Sequence, residues 1–129
     1  MQKIQNYAAK ISTGEGRKYD HATPHINKLG WLKIENKCEC DCCVFIYKVL
    51  NNLIPDWILT LTRVSDVNPR ITRQINDLVV PRTSTLTGDR HVEVRGTKLW
   101  NSLPQIIKDI SNFSTFKQKL RKFLLNTQL

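Results

Sequence analysis

Between Ile34 and Leu53 the apolar positions Ile34, Cys38, Cys42, Phe45, Ile46, Val49, Leu50 and Leu53 recur at steps of three and four. That spacing follows the 3.6-residue turn of an α-helix, so it predicts a long helix with one buried stripe. Pro55 then predicts the start of a short successor with Trp57, Ile58 and Leu61 inward. Together these elements predict a helical core. All four cysteines, Cys38, Cys40, Cys42 and Cys43, fall inside the long helix. Tetrahedral zinc sites draw two short pairs from separated segments, and here all four thiols are bunched. Cys38 and Cys42 are therefore expected as small hydrophobes on the buried stripe.

The remaining segments read as shorter pieces. Ile4, Tyr7, Ala8 and Ile11 share one side of a helix from Gln2 to Ser12 that Gly14 and Gly16 end. Thr23-Pro24 offers an N-cap and a helix start, and Gly30 a stop, for a short helix carrying Ile26 and Leu29. From Thr62 to Asn76 the chain is polar, which predicts a connector with Arg63, Arg70 and Arg73 on it. Leu78-Val79-Val80 and His91-Val92-Glu93-Val94 are β-branched runs around the polar Thr83–Asp89, the pattern of a small hairpin with Pro81 at a strand end. Short helices are expected over Lys98–Ser102 and from Pro104 through Ile107. A last one is capped by Ser114 and turns Phe116, Leu120, Phe123 and Leu124 to one face. The expected fold is mainly α: a small helical domain with one short β-hairpin. Its parts are a helical subdomain over 1–62, a polar connector over 63–77, and the hairpin with C-terminal basic helices over 78–129.

Charge narrows the function classes. Twenty basic against eleven acidic residues give a net +9, and seven of the basic residues against one acid lie from Arg95 onward, a net of +6 there. Such an excess attracts polyanions, and its concentration in one segment points to nucleic acid. The candidate phosphate contacts are Arg73, Arg82, Arg90, Arg95, Lys98, Lys117, Lys119, Arg121 and Lys122. Arg95 and Lys98 are one helical turn apart, and Gly96 between them allows a close backbone approach. Trp100 is expected in the core, where its large apolar area counts most. The arginines near the hairpin have a second use, since charge protects a strand edge from aggregation.

The run Arg95-Gly96-Thr97-Lys98-Leu99-Trp100-Asn101-Ser102-Leu103-Pro104 combines a basic pair, a glycine, a tryptophan and a proline stop. It follows Tyr19-Asp20-His21-Ala22-Thr23-Pro24, Leu29-Gly30-Trp31-Leu32, Tyr47-Lys48-Val49-Leu50-Asn51, Thr72-Arg73 and Val80-Pro81-Arg82, and precedes Ser114-Thr115-Phe116-Lys117. In that order the set resembles the C-terminal region, thumb and downstream, of reverse transcriptases of non-LTR (LINE-type) retrotransposons of the jockey-like and chicken-repeat-like clades. The likeness runs from about Gln2 to about Leu125. It implies a fragment of an RNA-directed DNA polymerase, with the first helix continuing from protein upstream of Met1. The partners it implies are RNA or an RNA/DNA hybrid and the upstream palm and fingers, where the catalytic Mg would reside. His91 departs from the small or aromatic residues that the relatives carry there.

The chain itself offers no polymerase chemistry. Two-metal catalysis needs paired carboxylates, and no two acidic residues are adjacent. No nucleophile with an adjacent base, glycine-rich phosphate loop or metal-ligand set is recognisable, and His21 and His25, four apart, lack a third ligand nearby. No run approaches the length of a membrane span or a signal peptide, which predicts an intracellular protein of cytoplasm or nucleus, with no membrane partner. The alternatives are a helical interaction module docking the polymerase body or a host protein, and a remnant without function.

Overall fold

A computed structural model describes residues 1–14, 17 and 19–128. Among the described residues eight helices make it mainly α, with 59% of them helical. They are α1 (Gln2–Thr13), α2 (Thr23–Lys28), α3 (Ile34–Leu50), α4 (Val64–Val67), α5 (Leu86–Asp89), α6 (Val92–Ser102), α7 (Gln105–Lys108) and α8 (Phe113–Gln128). Among the described residues no helix is long and apolar enough to cross a membrane. The chain divides into two compact units, Met1–Cys40 with Asn112–Leu129, and Asp41–Ser111. The divisions fall inside α3 and after Ser111.

In the first unit the buried apolar residues are Ala9 on α1, Ile26 on α2, Leu32, Cys40 on α3, and Phe116, Leu120 and Leu124 on α8. The α8 residues recur every four positions, so they stack along one side of the helix. Burying a side chain of that size stabilises by roughly 1.5–3 kcal/mol. Gly30 closes α2 with φ +63°, and Trp31 N–H donates to Ile26 O across the turn at 3.0 Å. The left-handed residue is tolerated there because glycine has no Cβ to clash. Gln128, in the last turn of α8, ties the following loop down. Its Oε1 accepts from Lys33 N at 2.8 Å, and its Nε2 donates to Asn27 Oδ1 at 3.2 Å and Trp31 O at 3.1 Å.

The second unit buries Cys43, Ile46 and Tyr47 from α3, then Leu78, then Val94, Thr97 and Trp100 from α6, and finally Leu103 and Ile107. A Cβ built on Gly96 would stand 2.9 Å from both Cγ1 and Cδ1 of Ile46. Glycine is thus what lets α6 lie so close to α3. Tyr47 and Trp100 meet at a ring separation of 6.5 Å, tilted by 50°, and the Tyr47 hydroxyl donates to Ser111 O at 2.6 Å.

Several expectations are corrected. Among the described residues no hairpin forms. Leu78 forms an isolated antiparallel bridge with Arg63, and the other supposed strand is the first turn of α6, whose N-cap is His91. Val92 and Val94 alternate over too few residues to define a strand. Val94, Thr97 and Trp100 continue at helical spacing and are all buried. Thr83–Asp89, expected as loop, contains α5, and the 62–76 connector contains α4. Among the described residues no helix begins at Pro55, and Trp57 is 85% exposed and Ile58 is also exposed. The long helix stops at Leu50, where Asn52 takes a left-handed φ of +54° and Leu53 N–H donates back to Lys48 O at 2.9 Å. Asparagine tolerates that conformation better than most residues.

The buried face of α3 is also rotated from the one expected. Cys40 and Cys43 are buried, Cys38 is exposed and Cys42 half-buried. Small thiols sit on several faces of this helix, so the larger Ile46 and Tyr47 set its orientation. On α1, Ile4, Tyr7 and Ile11 do share a face, but it is exposed. The opposite side is held inward because Gln5 Nε2 donates to Leu32 O at 2.6 Å and Gln2 Oε1 accepts from Ile34 N at 3.1 Å. Asn112, not Ser114, caps α8, its Oδ1 accepting from Thr115 N at 3.1 Å. Gly14 does end α1, whereas Gly16 lies outside the described residues.

Candidate nucleic-acid interface

The candidate interface is built on α8. Because Phe116, Leu120 and Leu124 are buried, the helix has a fixed rotation, and the rest of its surface follows from about 100° per residue. Lys117 and Arg121 are one turn apart on one flank, Lys119 lies on the other, and Lys122 points away from the buried stripe. All four are exposed. Arg121 Nη2 donates to Gly30 O at 3.2 Å, which steadies the guanidinium. No acidic residue occurs after Asp109, so nothing on α8 itself offsets these charges.

The other five candidates lie in the second unit. Arg95 and Lys98 share α6, one turn apart, with Arg95 half-buried and Lys98 exposed. Lys98 Nζ stands 3.8 Å from Asp89 Oδ1, and the Thr83 hydroxyl donates to the same carboxylate oxygen. An exposed pair of this kind is weak and leaves the ammonium accessible. Arg90 is the C-cap residue of α5, and Arg73 and Arg82 lie outside helices; all three are exposed. Gly96, between Arg95 and Lys98, serves helix packing, and Trp100 is a core residue, 5% exposed. His25 Nδ1 lies 2.8 Å from the Thr13 hydroxyl, and among the described residues no three of His, Cys, Asp and Glu converge as metal ligands.

One feature was not foreseen from sequence. In the second unit a cleft of about 300 Å³ opens between the end of α3, the Arg63–Leu78 bridge and α7. Its apolar lining is Leu50, Leu78, Trp100 and Ile110, and its polar lining includes Asn51, Arg63, Asn76, Gln105, Lys108 and Asp109. Asn101 holds one wall. Its Oδ1 accepts from Leu78 N and its Nδ2 donates to Leu78 O, both at 2.9 Å, completing the backbone pairing a second strand would give. Lys108, whose side chain is 8% exposed, pairs with Asp77 at 3.4 Å and donates to Asn101 O at 3.1 Å. The bonds of Asn101 to Leu78 and of Lys108 to Asp77 join residues more than twenty positions apart, which is why no local motif announced them.

Comparison with protein-family models, with curated proteins and with solved structures finds no match for this chain.

Proposed function

We propose that the chain is a non-catalytic nucleic-acid-binding part of a retrotransposon reverse transcriptase, whose α8 surface holds the template or its hybrid for a palm encoded upstream. The observation that carries this reading is the exposed set Lys117, Lys119, Arg121 and Lys122 on a helix without acidic residues. Flexible cations of this kind neutralise phosphates and do not read bases, so binding should be strong at low salt and indifferent to sequence. Polarisation titrations with RNA, DNA and hybrid at several salt concentrations test it. Binding that weakens steeply with salt is expected; absence of binding at low salt would refute it.

A second reading is favoured by a different observation. Ile4, Tyr7 and Ile11 are 70%, 68% and 62% exposed along one face of α1. A contiguous apolar stripe of this type suits docking to protein, which would make the chain a helical interaction module. Its association with an upstream polymerase segment would be insensitive to salt and lost on replacing Tyr7 by lysine, measurable by size-exclusion chromatography.

A further inference from the structure

We propose that the cleft of the second unit binds a single unpaired nucleobase. Its volume, about 300 Å³, is at the lower end of small-molecule pockets, enough for one base with its sugar. The lining is mainly polar; its apolar contribution comes from half-buried Leu50 and Ile110, with Leu78 and Trp100 almost wholly buried behind them. Around them stand hydrogen-bonding groups of both signs with capacity to spare. Among the described residues the Arg63 guanidinium has no carboxylate within ion-pair distance, and the Asn76 amide makes no hydrogen bond. Asn51 Nδ2 donates to Tyr47 O at 2.9 Å, which leaves its Oδ1 to accept. Gln105 Nε2 donates to Asp109 Oδ1 at 2.6 Å, leaving Gln105 Oε1 and the second Asp109 oxygen as acceptors.

A plain anion site does not fit this lining. Lys108 is already matched by Asp77, and Asp109 would repel a phosphate placed against Arg63. A ligand that carries donors and acceptors on one planar edge does fit, and that is the pairing edge of a base. No residue of α8 lines the cleft, so the cleft is tested independently of the α8 cations.

The test is a titration of the whole chain followed by amide NMR and calorimetry. The probes are guanosine, guanosine 5′-monophosphate, inorganic phosphate and a short single-stranded RNA. Guanosine and its monophosphate should shift the amides of Asn51, Asn76 and Gln105, while inorganic phosphate should not. Arg63→Ala and Asn76→Ala should each weaken guanosine about tenfold, the loss of one hydrogen bond. Both residues are exposed, so the variants should keep the wild-type circular dichroism. Replacing the four basic residues of α8 with glutamine should leave guanosine affinity unchanged while weakening general strand binding and its salt dependence. Shifts at the same amides with the RNA would identify the base as part of a strand; shifts with guanosine alone would identify a free nucleoside. Absence of binding at millimolar guanosine, equal binding of inorganic phosphate, or indifference to both cleft substitutions would overturn the proposal.

Discussion

Gly96 and Asn101 show how single residues of α6 set the second unit. Alanine is the better helix former by about 1 kcal/mol, so Gly96→Ala would stabilise an isolated helix. Here its methyl would meet Ile46, itself fully buried and unable to swing away. Overpacking of that kind costs about 1–3 kcal/mol, so the net change is expected to be destabilising and a lower thermal midpoint by circular dichroism checks it. Asn101→Ala leaves both the N–H and the C=O of buried Leu78 without their partners. A loss of about 1–3 kcal/mol is expected in urea denaturation, with the cleft amides affected most. From sequence, Gly96 was legible as a point of close approach, but the neighbour it approaches was not. Asn101 carried no such signal, because its partner Leu78 is distant in the chain.

Among the elements, α8 was the most legible, since its apolar residues keep one spacing for three turns and its charges avoid that face. Phe116→Ala is expected to cost about 3–5 kcal/mol, because it empties a fully buried aromatic site. Asn112→Ala removes the cap from Thr115 N and should cost about 1 kcal/mol, measured by urea denaturation of the whole chain. The opposite lesson comes from α6. Its first residues are β-branched and follow a polar segment, which locally favours a strand. Three buried side chains at helical spacing outweigh that preference, because strand propensity reflects packing more than backbone. The stripe of α3 was misplaced for a related reason: four small thiols carry too little apolar area to mark a face.

At the scale of the whole molecule, charge and exposure decide behaviour. If α8 contacts a strand, converting Lys117, Lys119, Arg121 and Lys122 to glutamine should flatten the log affinity against log salt plot by about 3, at ~0.7 for each single-strand phosphate. A slope that does not change would place the contacts elsewhere in the chain. The sequence by itself determined a helical fold, the positions of α1, α2 and α8, and the segregation of basic residues toward the C-terminal end, because periodicity, glycine stops and charge are local properties. Only the tertiary structure decided which faces are buried, that Ile4, Tyr7, Ile11 and Trp57 stand in solvent, and that Arg63, Asn76 and Gln105 line one cleft. Those outcomes depend on bonds between residues far apart in the chain, such as Gln5 to Leu32 and Asn101 to Leu78, which no local pattern encodes.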